Sequence, residues 1–336
     1  MRNKTVIVTG CAGFIGSHVC QHLLDAGHSV IGLDDLSGGF IENVPNEVCF
    51  YKGSTLNHEM VDSIFQHHSP THVIHLAAYA TEGLSFHIRR FNYLNNLVST
   101  VNLINAAVNH GVEGFTFTSS MSVYGDQTPP FTEDMPTKPV DPYAVAKDGA
   151  EKDLRIAGDV HGLKWCIIRP YSVYGPKQNI ADAYRNVAGI HMNQALRGEP
   201  LTIFGSGEQR RAFSYISEVA PVIAATVDRD VWGQVFNVGG SLNYSINHLA
   251  ESISQAMGVE HKVVHLPPRH EVAMAWCDNR KTKDTFPDLF KPVPLSAGLE
   301  LMAEWAKKRG PQTCKPFANI EILKNLHPKW RKLIQS

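Results

Sequence analysis

A short apolar strand that runs into three spaced glycines and then into an amphipathic helix constrains this chain more than any other stretch. Residues 5–16 read TVIVTGCAGFIG. Val6, Ile7 and Val8 form an unbroken apolar run, and Gly10, Gly13 and Gly16 follow with G-x-x-G-x-x-G spacing. Glycine is required at such points. One allows a sharp turn, one lets backbone N–H groups approach a pyrophosphate, and one lets helix and strand pack closely. Ile15, Val19 and Leu23 then share one helical face. The next apolar strand ends at Asp34. A carboxylate there accepts hydrogen bonds from an adenosine ribose and repels a 2′-phosphate, so NAD is expected over NADP.

The first half of the chain alternates short apolar strands (5–9, 29–34, 48–53, 72–77, 114–119 and 165–169) with amphipathic helices (14–26, 58–67, 91–109 and 142–160). Strands this short and apolar are buried on both faces, which means a parallel sheet covered by helices. Right-handed crossovers then give an α/β fold, a Rossmann-type doubly wound sheet with its ligand at the carboxyl ends of the strands. The helix over 91–109 carries Leu94, Leu97, Val98, Val101, Ile104 and Val108, a face broad enough to cover the sheet and to meet another subunit. Beyond residue 175 the pattern weakens, broken by Pro176, Pro200, Gly205, Gly207, Pro221, Pro267 and Pro268. Helices are expected there over 185–196, 218–227, 245–257 and 295–308. The expected organisation is a dinucleotide-binding domain over 1–175, a smaller mixed α/β substrate domain over 176–310 and a basic extension over 311–336. The strand-like QVFNV run would return to the first sheet over 234–240. Five basic residues against the single acid Glu321 suggest a solvated tail or a packed terminal helix at the end.

Composition removes several function classes. A formal net charge of −1 argues against general affinity for nucleic acid or membrane surfaces, so phosphate binding must come from local arginines. No apolar run reaches membrane-spanning length, and the first ten residues run straight into a strand, unlike a signal peptide. Six scattered cysteines without a C-x-x-C pair suit reduced thiols in a cytoplasmic protein. His18 and His22 lie one turn apart around Cys20 but lack a third ligand, so no metal is expected.

Two clusters carry chemistry. Tyr143 and Lys147 stand four apart in a helix opened by Asp141 as N-cap and Pro142 in the first turn, which places both on one face. Free tyrosine is a poor base at neutral pH, and a nearby lysine ammonium would lower its pKa. The second cluster is the hydroxyl-rich TSSMSVYG over 118–125, at the end of a buried strand. Any of Thr118, Ser119, Ser120 and Ser122 could hydrogen-bond a substrate alcohol and relay its proton to Tyr143.

With these stretches the chain resembles the extended short-chain dehydrogenases/reductases of the NAD-dependent epimerase/dehydratase family, the UDP-glucose 4-epimerases in particular. The resemblance spans nearly all of residues 3–308 and rests on TGCAGFIG, LDDLSGG (33–39), HLAA (75–78), NYLNN (92–96), TSSMSVYG, YAVAK (143–147), RPYSVYGP (169–176), GEPLTIFGSGEQRRAF (198–213) and NVGG (237–240). It implies Ser120, Tyr143 and Lys147 as the catalytic set. It implies NAD held by Gly10, Gly13, Phe14, Ile15 and Gly16 along the pyrophosphate and by Asp34, Asp35 and Leu36 at the adenosine. Ser54, Thr55, Leu76, Ala77, Ala78, Asn95 and Tyr171 would line the rest, with Tyr143 and Lys147. For a sugar nucleotide it implies Ser120, Ser122, Tyr143 and Ser172, with Arg211 and Arg269 gripping the diphosphate as guanidinium forks. It also implies a homodimer through the helices over 91–109 and 142–160.

The chain departs from the family at several places. The G-D-[IL] expected after the third strand reads Gly53-Ser54-Thr55, and R-D-F reads Arg211-Ala212-Phe213. Ser172 replaces an asparagine near the substrate diphosphate, and Ala80 replaces a lysine. Related 4,6-dehydratases carry an Asp-Glu pair where this chain has Met121 and Ser122, and related 3,5-epimerases carry a cysteine in that region. Neither Met121 nor Ser122 can move the protons those reactions need. The resemblance therefore implies NAD-dependent C4 epimerisation of a UDP-hexose, UDP-glucose/UDP-galactose, through a transient 4-keto sugar. The alternatives are C4 epimerisation of UDP-glucuronate or UDP-N-acetylglucosamine, a sugar-nucleotide dehydratase or reductase, or a non-catalytic NAD-binding module.

Overall fold

The structure, a computed structural model, describes residues 3–314 and 316–335. Six strands form one parallel sheet: β1 (Thr5–Thr9), β2 (Ser29–Asp34), β3 (Cys49–Lys52), β4 (His72–His75), β5 (Gly114–Thr118) and β6 (Trp165–Pro170). The strand Gln234–Val238 joins them in parallel beside β6. The spatial order is β3-β2-β1-β4-β5-β6 followed by Gln234–Val238. The chain moves outward from β1 to β3 and then returns to place β4 on the other side of β1. The crevice between β1 and β4 is therefore the switch point at which such sheets bind ligands.

The period of two along each strand sorts the core into two faces. Ile7, Ile31, Val73, Phe115, Ile167 and Val235 point to one side. There they meet Val61, Ile64 and Phe65 of helix α2 (His58–His68) and residues of the Ser99–Asn109 and Pro142–His161 helices. Val6, Val8, Val30, Ile74, Ile168 and Phe236 point to the other side, against Val19 and Leu23 of helix α1 (Phe14–Asp25). Each such aliphatic side chain, fully buried, contributes roughly 1.5–3 kcal/mol.

The expected helix over 91–109 is longer and interrupted. Between β4 and β5 the chain forms the single turn α3 (Glu82–Ser85), then α4 (Arg89–Tyr93), a π-helical turn over Leu94–Val98, and α5 (Ser99–Asn109). The π turn rotates Asn95 and Asn96 inward, and Asn96 then donates to the Tyr79 carbonyl (3.2 Å) and accepts from the Tyr79 amide (2.9 Å). Helix α6 (Pro142–His161) follows, capped by Asp141, whose Oδ1 accepts from the Ala144 amide at 2.9 Å.

The helix expected over 218–227 forms over Ile216–Ala225, with Pro221 inside it. The bond its missing N–H would have made is to the carbonyl of Ser217. Two features offset that loss: Glu218 accepts from the Tyr215 amide at 2.8 Å, and Val219, Val222 and Ile223 are fully buried. The last helix, Pro328–Gln335, packs against the body. Trp330 is 2% exposed and shares a cluster with Leu84, Ile88, Tyr184 and Leu326. Among the described residues no helix is long and apolar enough to cross a membrane, and no group of three or more potential metal ligands converges.

Candidate active site

A cavity of about 430 Å³ runs along the carboxyl ends of β1, β2, β4 and β5. One end is a cradle of glycines. Gly10 has φ +73°, and a Cβ there would stand 2.9 Å from the Ala77 nitrogen. A Cβ on Gly16 would fall 2.0 Å from the Gly10 carbonyl oxygen, and one on Gly39 would meet Ala12 at 2.6 Å. These three positions hold backbone against backbone, and no side chain fits. Helix α1 starts at Phe14 with no side-chain cap and no acid in its first turn, so its N-terminal amides are free to face an anion.

Asp34 closes this end. Its Oδ2 accepts from the Ala12 amide at 3.0 Å and its Oδ1 from the Leu36 amide at 2.8 Å, which ties the acid to the glycine turn. Burial raises its pKa, and those two amides act against the rise. Asp35, Ser54, Thr55, Leu76, Ala77, Ala78 and Asn95 also line the cavity. Leu36 does not. It sits at φ +63°, and its contribution to the turn is the amide given to Asp34. Ser54, standing where an aspartate was expected, accepts from the Leu56 amide at 3.2 Å.

The catalytic candidates meet at the middle of the cavity. Ser120 follows β5 and accepts from the Ser122 amide at 3.1 Å. Its hydroxyl also faces the Tyr143 phenol and favours the phenolate. Beside it the hydroxyls of Thr118, Ser119 and Ser122 are buried without hydrogen-bond partners among the described residues, which suits a wall built to receive polar groups. Ser122 lines a smaller side cavity of about 130 Å³, with Met121 shared between the two.

Lys147 departs from the expected arrangement. Its amine donates to the Thr118 carbonyl at 2.8 Å and lies 4.7 Å from the centre of the Phe117 ring. Burial pushes its pKa down to about 7, with Glu151 pulling the other way. Tyr143 is pushed above the ordinary tyrosine range, first by burial and then by the Glu82 carboxylate. The protein groups alone thus keep the tyrosine protonated, and the lysine's first partner is the strand end.

An ion pair fixes α6 against the sheet. Arg169 of β6 forks onto Glu151 of α6, with Nε–Oε1 at 2.8 Å and Nη2–Oε2 at 2.5 Å. Its Nη1 donates to the Tyr124 hydroxyl at 2.7 Å, and that hydroxyl donates to Asn237 at 2.8 Å. Sheet, helix and strand-end loop are thereby locked together on the side of α6 that carries Tyr143 and Lys147.

Ser172, Tyr171, Arg211 and Arg269 complete the far end. Arg211 lacks the carboxylate expected at residue 212 and is held by backbone carbonyls instead. Nη1 donates to Arg210 (2.8 Å) and Ala273 (3.1 Å), and Nη2 donates to Val272. Arg269 pairs with Glu271 at 3.0 Å and lies 4.4 Å from the centre of the Phe204 ring.

Sequence reasoning missed several lining groups. Glu82, Arg185, Gln209 and Glu271 all face this cavity. The terminal helix is the packed one of the two alternatives, and what the sequence did not show is that it borders this cavity. Trp330 stands near Arg269 (5.9 Å, guanidinium to ring), and a Cβ on Gly83 would touch it at 3.0 Å. Glu321 accepts from the Arg90 and Phe91 amides at 2.8 and 2.9 Å, at the start of α4. The signal for this C-terminal strap was the aromatic content of the basic tail, Phe317 and Trp330, which charge counting passed over.

Comparison with known proteins adds a family. The profile of the NAD dependent epimerase/dehydratase family matches residues 6–239. The chain is 30% identical over 334 residues to a UDP-glucuronate 4-epimerase of Thermodesulfobacterium geofontis, covering 95% of this chain and 98% of the relative. It is 33% identical over 313 residues to a UDP-glucose 4-epimerase of Mycolicibacterium smegmatis, covering 90% and 98%. A crystal structure of UDP-glucose 4-epimerase with UDP-glucose from Thermotoga maritima superposes with a TM-score of 0.86 at 32% identity, covering 91% of this chain and 99% of that one.

Proposed function

Because the chain belongs to the NAD-dependent epimerase/dehydratase family, we propose that it inverts C4 of a UDP-hexose, interconverting UDP-glucose and UDP-galactose. One observation carries this reading. Ser120 and Tyr143 converge in the same cavity as the glycine cradle and Asp34, while the flanking positions are Met121 and Ser122. The cradle, the uncapped α1 and the unpartnered strand-end hydroxyls fit NAD, which when bound supplies acceptance and return of a hydride at a sugar carbon.

The protein's own share of the work follows from the site. Arg211 and Arg269 hold the diphosphate at one end of the cavity. Tyr143, acting as the phenolate that the Ser120 hydroxyl favours, takes the 4-hydroxyl proton as the sugar becomes a 4-keto sugar and gives it back on the other face after the sugar has turned about its diphosphate. Lys147, tied to Thr118, keeps a donor at the strand end beside Tyr143. Residues 1–175 with strand Gln234–Val238 would serve the cofactor, residues 176–310 the sugar nucleotide, and 311–336 the outer wall. We infer a cytoplasmic homodimer. Six free cysteines support the compartment. Leu94 and Val98 beside exposed Val145, Ile156 and Val160 of α6 supply an apolar face for the dimer.

The test is an NMR time course on UDP-glucose, UDP-galactose, UDP-glucuronate and UDP-N-acetylglucosamine. C4 inversion of the hexoses without added oxidant is expected. A dehydrated product, or no conversion of either hexose, overturns the reading.

A further inference from the structure

We infer that Glu82 reads the charge of the sugar, favouring a neutral hexose over a hexuronate in the reaction proposed above, on which this inference rests. Glu82 is the first residue of α3, in the loop that leaves β4 and folds over the start of α6. Its side chain is open to the main cavity and also borders the smaller one behind Met121. Its surroundings are all site groups. The Tyr143 phenol, the Arg211 and Arg269 guanidinium groups, Glu271 and Asp141 all interact electrostatically with it.

The Glu82 carboxylate makes no side-chain hydrogen bond or close ion pair among the described residues and acts on Arg211 only as a counter-charge at longer range. Arg269 pairs with Glu271, and Arg211 bonds backbone carbonyls. The Glu82 backbone carbonyl accepts from the Ser85 hydroxyl at 2.6 Å, and the turn is held that way without the side chain. The Glu82 side chain is exposed where it lines the cavity, so its carboxylate is free to accept hydrogen bonds from what enters. Sugar hydroxyls are donors of the required kind. A hexuronate instead brings a second carboxylate between the diphosphate-binding arginines and Tyr143, where Glu82 repels it. Glu271 and Asp141 reinforce the sign, but Glu271 is neutralised by Arg269 and Asp141 is committed to capping α6. Of the three acids, Glu82 alone is held by neither a hydrogen bond nor a close ion pair.

The position is also where local sequence offers no hint. The stretch AYATEGLS departs from the family where Ala80 stands in place of a lysine, and Glu82 lies two residues further on.

The experiment measures kcat and KM for UDP-galactose and UDP-glucuronate with C4 inversion read by NMR. It also measures the dissociation constants of UDP-glucose and UDP-glucuronate by calorimetry, for the wild type, Glu82→Gln and Glu82→Asp. The wild type should prefer the hexose by roughly 100-fold in kcat/KM, the scale of a like-charge clash in a pocket. Glu82→Gln should shrink that preference at least tenfold, chiefly through KM, with tighter UDP-glucuronate binding and weaker UDP-glucose binding. Glu82→Asp should retain the preference. An unchanged ratio in Glu82→Gln, or a wild type that prefers UDP-glucuronate, overturns the inference while leaving C4 epimerisation intact. Loss of turnover on both substrates with binding unchanged overturns it in favour of an acid–base role. A wild type that inverts neither sugar ends the functional reading and this one together.

Discussion

Lys147 directs its amine at the carbonyl of Thr118, 2.8 Å away, and not at the phenol of Tyr143 one turn earlier in α6. The Y-x-x-x-K spacing places both side chains on one helical face, but the strand end claims the lysine. The bond joins β5 to α6 beneath the reacting hydroxyls, so the lysine positions the strand end as well as charging it.

In the proposed reaction Tyr143 is the group that exchanges a proton with the sugar. Tyr143→Phe should lower kcat by about 10³ with stability nearly unchanged, since the ring stays and one hydroxyl is lost. Ser120→Ala should lower it less. Single-turnover NMR on UDP-galactose reads both, and near-wild-type turnover of Tyr143→Phe contradicts the assignment.

Burial holds Lys147 at a pKa of about 7, far below the ordinary lysine value. Between that value and about 10.4 the unfolded chain binds more protons than the folded one, so this group makes stability rise with pH. Its penalty is fully present below pH 7 and disappears as pH climbs through the unfolded value. Lys147→Met should therefore be inactive yet melt at or above the wild type near pH 6.5, and its advantage should vanish toward pH 10. Melting curves across that range check it.

The Glu151–Arg169 fork is 2% exposed on both sides. Glu151→Gln leaves a buried guanidinium without its counter-charge and should cost about 3–5 kcal/mol in urea unfolding. A double variant, Glu151→Leu with Arg169→Met, should regain much of that loss, because no unpaired charge then remains. Equal destabilisation of single and double variants would show that packing, not charge, sets the cost.

Trp330 packs against Gly83 and Arg269 from the C-terminal strap. Trp330→Ala should loosen the wall that carries Arg269 and Glu82. The expected result is a KM for UDP-sugars raised about tenfold, with NAD binding by fluorescence unchanged. Trp330→Phe should restore most of the affinity. A parallel loss of NAD binding would mean that the strap supports the whole fold and not the substrate wall.

What could be read in the sequence was whatever depends on near neighbours. The strand, the three glycines and α1 come from period and spacing within twelve residues, and the structure gives Gly10 and Gly16 backbone contacts that no side chain allows and Gly13 a tight one. The parallel sheet followed from strands apolar on both faces. The helix expected over 218–227 forms over Ile216–Ala225 with Pro221 inside it, because Val219, Val222 and Ile223 are buried around the proline. The π turn at Leu94–Val98 gave no local sign, since its reward is Asn96 clamping Tyr79.

By itself, then, the sequence determined a doubly wound NAD-type sheet with Ser120, Tyr143 and Lys147 at its carboxyl edge. Only the tertiary structure decided that Lys147 answers to Thr118, that backbone carbonyls replace a carboxylate around Arg211, and that Glu82 and Trp330 stand at the arginine end of the cavity. The physical reason is range. Periodicity and turn chemistry act over a few residues, whereas a charge inside a pocket is set by groups tens to hundreds of residues away that folding brings to the same wall.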